Sequence, residues 1–260
     1  NHDSSSAASD GYNRQALCCN DAKQCYDRIL HMIANICLQR VGVHPKTCFV
    51  MLGTLQQMKH HIKTAFGVSK ESYGCIQIPL QGVLQGNGAG PGIWLLLSIP
   101  IINMLKTAGF GFTVRTVISG DQFSFVCYTF VDDSDVVHSS QATETTDATG
   151  TTHTIDDTET EITTLVTEMQ QVVDTWEGGP RASGGALVPD KSYWFLIHFV
   201  FERNQWRYAR IAETPGNITI RNIPGTERVE LERLEVKEAR ETLGVFIAMD
   251  GNQTAQTHTA

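Results

Sequence analysis

Read for the spacing of its apolar positions, the chain divides into short strands and a few longer helices. Ala16-Leu17-Cys18-Cys19-Asn20-Asp21-Ala22 is an apolar run that ends at an acid, the pattern of a buried strand. From Asp27 onward, Leu30, Ile33, Cys37, Leu38 and Val41 follow helical spacing, with Asp27 near the N-terminus, where a carboxylate favours the helix dipole. Pro45 opens a second helix that puts Phe49, Leu52, Leu55, Met58 and Ile62 on one face. Two short strands follow around 63–67 and 75–79. A glycine-dense loop, Gln85-Gly86-Asn87-Gly88-Ala89-Gly90, then enters an almost wholly apolar helix over 91–107, and a helix apolar all round predicts burial.

The strand over 112–118 and the turn Ser119-Gly120-Asp121-Gln122 lead into a β-branched and aromatic run, Phe123 onward. That run stops at Asp132-Asp133 and resumes as Val136-Val137, which predicts a tight β-hairpin with both acids at its turn. Residues 139–160 are a Thr-, Ser- and Asp-rich tract, read as a flexible acidic insertion. Ile162, Leu165, Val166, Met169, Val172, Val173 and Trp176 mark a long amphipathic helix. After the glycine-rich 178–185, residues 193–201 and 205–211 read as a hairpin, and 242–249 as a last strand. Helices and strands interleave around an antiparallel hairpin, so the class is α+β. Residues 16–252 form the expected unit, flanked by 1–15 and a tail, 253–260.

Composition narrows the function classes. A hydrophobic fraction of 41% over 260 residues excludes wholesale disorder. The net charge of −8 is unevenly spread: residues 132–177 carry 12 of the 28 acids and none of the 20 Lys and Arg. The rest is mildly basic, compatible with a polyanionic partner bound away from the acidic segment. The seven cysteines make no CxxC pair and read as reduced core thiols of an intracellular protein, in cytoplasm or nucleus. The longest apolar run, 93–105, is too short to span a bilayer and contains Pro100, so no membrane association is expected. His60-His61 has no partner at ligand spacing and reads as helix surface. A first residue that is not Met suggests a fragment of a longer chain.

Adjacent like charges repel, and a strand tip does not gain stability from Asp132-Asp133. Either the pair is an ordinary polar turn or it faces divalent cations. Asp21 ends another strand. If the two strands are neighbours, three carboxylates converge, and oxygen-only donors suit two Mg²⁺, or Mn²⁺, over zinc. The glycine loop is not a phosphate-binding Walker loop, because no Gly-Lys-Ser/Thr follows. It reads either as a helix cap or as backbone that a flat substrate approaches closely.

In order, these pieces resemble the palm of the reverse transcriptase family. Asp21-Ala22-Lys23-Gln24-Cys25-Tyr26-Asp27 is similar to its first catalytic motif, an acid followed five positions later by an aromatic. Gln85-Gly86 through Pro91 resembles its Gln-Gly…Pro motif, and Phe130-Val131-Asp132-Asp133 its aromatic-x-Asp-Asp motif. Pro189-Asp190-Lys191 resembles the lysine motif that follows, and Leu243-Gly244-Val245 the primer grip. The resemblance implies a retrotransposon-like RNA-directed DNA polymerase acting on an RNA template, a DNA primer and deoxynucleoside triphosphates. Asp21, Asp132 and Asp133, with the Ala22 carbonyl, would hold two Mg²⁺. Tyr26 would exclude a 2′-hydroxyl, Gln85 and Gly86 would pack on the incoming nucleotide, Lys191 would serve the leaving pyrophosphate, and Leu243 and Gly244 would hold the primer.

Each position has a plainer reading. Tyr26 reads equally as a core aromatic, Lys191 as a solvated turn lysine and Asp135 as a polar hairpin residue. The chain departs from the family in having little that matches the basic fingers hairpin ahead of Asp21, or the helical thumb after Gly244, so the palm stands with fingers and thumb truncated. An RNA-dependent RNA polymerase and a non-catalytic nucleic-acid-binding relic are the alternatives. The first would place a polar group at Tyr26, and the second has no need to keep crowded carboxylates.

Overall fold

A computed structural model of the chain describes residues 14–74, 77, 80–116, 118–140, 144–146, 152–154, 158–242 and 245–259. The first half runs β1 (Gln15–Asp21), α1 (His31–Arg40), α2 (Pro45–Gln57), the small hairpin β2 (Lys63–Thr64) and β3 (Gly67–Val68), and α3 (Gly90–Thr107). Next come β4 (Phe112–Arg115), β5 (Gln122–Phe125), β6 (Cys127–Phe130) and β7 (Asp133–Ser139), then β8 (Glu144–Thr146) and β9 (Thr152–Thr154). The long α4 (Thr158–Ala182) leads to β10 (Tyr193–Ile197), β11 (Phe199–Glu202) and β12 (Gln205–Tyr208). The chain closes with β13 (Thr219–Arg221), β14 (Arg228–Glu230), β15 (Glu232–Arg233), β16 (Arg240–Thr242), β17 (Val245–Ile247) and α5 (Thr254–Thr259).

The architecture is mixed α+β, built on a five-stranded sheet of order β15-β10-β1-β7-β6. β1 is its centre and runs antiparallel to both neighbours, with Asp21 opposite Asp133 and Cys19 opposite both Asp135 and Tyr193. Successive side chains of a strand point to opposite faces, so the register sorts the sheet into two sides. Ala16, Cys18, Val136, Trp194 and Leu196 are buried in one core with Leu165, Met169, Val172 and Trp176 of α4. The seven apolar positions expected along that helix are all buried, and each contributes about 1.5–3 kcal/mol of transfer free energy.

Several sequence expectations need correction. The run from Phe123 is not one strand: β5 pairs with β4, β6 pairs with β7, and the partner changes at buried Val126, whose carbonyl accepts from Val137. The expected hairpin over 193–211 divides in the same way at His198, with β10 in the main sheet and β11–β12 a separate ribbon. Gly178, Gly179 and Pro180 continue α4 instead of ending it. A Cβ at Gly179 would lie 2.4 Å from Ile101 Cδ1, so the missing side chain lets α3 and α4 approach closely. α3 is not buried all round, since Leu95 and Met104 are more than half exposed. α2 buries Cys48, Leu52 and Leu55, while Phe49 faces outward and Ile62 lies beyond the helix. His60 pairs with Tyr73 at the base of the β2–β3 hairpin and is not on a helix. Of the strand expected at 75–79, residues 75, 76, 78 and 79 lie outside the described residues. The six described cysteines are free, and five of them are buried.

Candidate active site

Antiparallel pairing decides which side chains meet. The last residue of β1 necessarily lies beside the first of β7 and near the first of β10, so Asp21, Asp132-Asp133 and Lys191 arrive at one end of the sheet. The β6–β7 connection is a two-residue turn, Val131-Asp132, between paired Phe130 and Asp133. Val131 has φ +58°, a left-handed conformation that β-branched residues adopt only under strain. The Asp132 carbonyl accepts from the Ala22 N–H at 2.9 Å, which binds the turn to the residue after Asp21. Ala22 is itself buried and bridged to Leu187.

On the open side of the sheet the same alternation aligns Asp21, Asp133 and Asp135, flanked by Tyr128 and Phe130 of β6, which are both more than half exposed. Burial raises the proton affinity of Asp133, and the charges of Asp132, Asp21 and Asp135 raise it further, against a lowering by Lys191. Burial likewise raises Asp135, partly offset by its hydrogen bond with Cys19. Asp135 is a polar residue of the β6–β7 hairpin, the second acid of β7, opposite Tyr128. Lys191, in a 3-10 turn (Pro189–Lys191), is exposed and places Nζ 3.2 Å from Asp21 Oδ2. A cleft of about 450 Å³ adjoins this pair, between Asp21, Asp133, Tyr193 and Arg240.

Beneath the carboxylates lies a polar chain that sequence reasoning missed. Trp176 Nε1 donates to Ser134 Oγ at 3.0 Å, and Ser134 Oγ donates to the Asn20 carbonyl at 3.4 Å. All three residues are buried, and Asn20 pairs with Ser134 one step behind Asp21 and Asp133. The signal was available: an indole N–H inside an otherwise apolar helix face needs an acceptor when buried.

The second missed feature is how the glycine loop reaches the first motif. Val83 N–H donates to the Tyr26 carbonyl at 2.8 Å, and the Gln85 N–H donates to Asp27 Oδ1 at 2.9 Å. Gly82, at φ +93°, lies so close that a Cβ would fall 2.3 Å from the Asp27 carbonyl oxygen. Asp27 thus secures the loop, and the helix-dipole expectation fails because α1 starts only at His31. Tyr26 packs its ring on Gly90, where a Cβ would sit 3.4 Å from Tyr26 Cγ. Burial raises its phenol pKa, with Cys25 and then Asp132 adding to the rise. Gln85 and Gly86 are exposed, and a Cβ on Gly86 would meet open space. Leu243 and Gly244 lie outside the described residues.

The donors fit a hard divalent cation in kind: they are carboxylate oxygens, and their mutual charge already favours a neutralising partner at Asp133. Among the described residues, no three His, Cys, Asp or Glu side chains are gathered into a formed metal cluster. No helix among the described residues is long and apolar enough to cross a membrane.

No family model and no curated protein matches the chain. Among solved structures it is similar to telomerase of Candida tropicalis in complex with a TWJ fragment of telomeric RNA, at TM-score 0.42 and 10% identity, over 81% of this chain and 32% of that one. It is similar to telomerase of Candida albicans in complex with such a fragment at TM-score 0.41 and 12% identity, over 83% of this chain and 30% of that one. The chain therefore spans about a third of the length of the telomerase chains it is similar to.

Proposed function

We propose that this chain is the catalytic core of an RNA-directed DNA polymerase, carried by a mobile retroelement, that extends a DNA primer on an RNA template. The observation that carries the reading is the β1–β7 register, which sets Asp21 opposite Asp133 with Asp132 on the turn between them and β6. Asp21, Asp132 and Asp133, with the Ala22 carbonyl, would hold two Mg²⁺ (or Mn²⁺). Bound there, the ions would supply Lewis acidity to the attacking hydroxyl and neutralise charge on the departing pyrophosphate.

The chain's own residues then have defined tasks. Asp27 fixes the backbone at Gln85, and the solvent-open Gln85-Gly86 edge would receive the incoming nucleotide beside Tyr26. A nucleotide base can lie on the backbone of Gly86 because no side chain intervenes. The Tyr26 ring packs on Gly90, and set there under the sugar it would exclude a 2′-hydroxyl and select deoxynucleotides. Lys191 is 3.2 Å from Asp21 and carries three N–H donors, suited to a leaving phosphate oxygen. Leu243 and Gly244 would hold the primer end.

The test is primer extension by the full-length protein on an RNA template with Mg²⁺. Asp132→Asn is expected to abolish extension, and Tyr26→Ala to admit ribonucleotides. Unchanged extension by Asp132→Asn refutes the carboxylate assignment. Equal rejection of ribonucleotides by Tyr26→Ala and the parent removes the gate.

A further inference from the structure

The β2–β3 hairpin lies outside the site described above, and its chemistry is of another kind. Residues 40–70 contain five Lys and Arg, three His and not one Asp or Glu, in a chain whose net charge is −8. Its core is a ribbon closed by His60 and Tyr73, whose backbones exchange hydrogen bonds of 2.9 and 2.7 Å, with Lys63 opposite Val68 and Thr64 opposite Gly67. Residues 61–68 are exposed throughout, so neither face of the ribbon is covered. A bare two-stranded hairpin is marginal in water and needs a surface to lie on. At its tip Phe66 is fully exposed, and Ile62 and Val68 are more than half exposed. Lys59, Lys63 and Lys70 are all exposed and make no ion pair among the described residues.

We propose that this hairpin is a binding site for single-stranded nucleic acid, with the lysines on consecutive phosphates and a base stacked on Phe66. Unpaired lysines beside a solvent-facing ring are what a flexible polyanion with flat apolar bases requires. The excess of cations also distinguishes the ligand by sign, since Glu71 is the one acid between His60 and Tyr73. The tip serves an unpaired strand and not a duplex, because a ring stacks only on a base whose face is free. Binding at the hairpin does not require the carboxylate site, so loss of either reading leaves the other standing.

The experiment is fluorescence anisotropy of a labelled 20-nucleotide oligouridylate with the full chain, without divalent ions, across a salt series. Lys63→Ala/Lys70→Ala is expected to weaken binding and to lower the slope of log K against log salt by about 1.4, two released phosphates on a single strand. Phe66→Ala is expected to weaken binding about tenfold with the slope unchanged, and Phe66→Trp to restore it. Lys237→Ala, which removes an exposed lysine outside the hairpin, should bind as the parent does. All these side chains are exposed, so unchanged thermal midpoints are expected and exclude misfolding as the cause. Parent-like affinity in both hairpin variants overturns the proposal. So does a loss confined to phosphatidylserine vesicles or to self-association while RNA binding is intact.

Discussion

The two faces of the five-stranded sheet are made from the same strands, yet they obey opposite rules. On one face Ala16, Cys18, Val136, Trp194 and Leu196 are buried against α4, where the Trp176 indole N–H reaches Ser134 and, through it, the Asn20 carbonyl. On the other, Asp21, Asp133 and Asp135 are aligned with like charges as neighbours, beside exposed Tyr128 and Phe130. Alternation along β1 and β7 means that one register sets both faces, and a one-residue slip would exchange them. Apolar burial runs the length of the covered side, whereas on the other it is confined to a small cluster around Cys19, Phe195 and Leu234, and the carboxylate end is left open.

The largest expected effect is on the covered side. Trp176 is 2% exposed and joins apolar packing to the hydrogen bond that reaches the backbone behind the acids. Trp176→Ala is expected to cost about 3–5 kcal/mol, measured by urea denaturation, because it leaves a cavity and takes from the buried Ser134 hydroxyl the N–H it accepts from. Trp176→Phe keeps most of the volume and should cost much less. A loss below about 1 kcal/mol for the alanine variant would mean that the covered face is not the stability reservoir described.

A second substitution probes the seam where the faces meet. Val131 holds φ +58° at the turn, and for a β-branched residue that conformation is unfavourable by about 1–2 kcal/mol. Val131→Gly removes the strain and returns part of the gain to unfolded-chain entropy, so a net stabilisation of about 1 kcal/mol is expected. Extension activity should fall in the same variant, since a looser turn no longer holds Asp132 against Ala22. A destabilised Val131→Gly protein would remove strain from the account.

Much of this contrast was legible in the residues. A run ending at Asp21, a second apolar run stopped by Asp132-Asp133 and the 3.6-residue spacing from Ile162 to Trp176 follow from local periodicity. The strand changes at Val126 and His198 were hidden because the apolar pattern continues across both, and only the partner differs. Gly178-Gly179-Pro180 carries the composition of a break, yet tertiary contact with Ile101 keeps it helical. The site was legible as a set of acids and not as an assembly. Nothing local says that Val83 and Gln85 bond to Tyr26 and Asp27, 57 and 58 residues earlier. That information is carried by Gly82, whose missing side chain is needed only once the two segments touch.

The smallest effect separates the faces most cleanly, because it depends on pH. Burial and the charges of Asp132, Asp21 and Asp135 raise the pKa of Asp133 in the folded chain. The folded state therefore holds this proton more tightly than the unfolded one, and the associated stability is full below the unfolded carboxylate pKa and lost as pH rises through the folded value. At pH 7 the ionised group is a net cost, reduced by solvent because the side chain is only partly covered. Asp133→Asn should raise Tm at pH 7 by about a degree or two while abolishing extension, and the gain should vanish near pH 3. Trp176→Ala, by contrast, should cost the same at both pH values, since no titrating group is removed. An Asp133→Asn protein that is less stable than the parent at pH 7 would mean that the carboxylate is held by favourable contacts. The open face would then be a structural polar surface, without the electrostatic strain that a divalent cation would relieve.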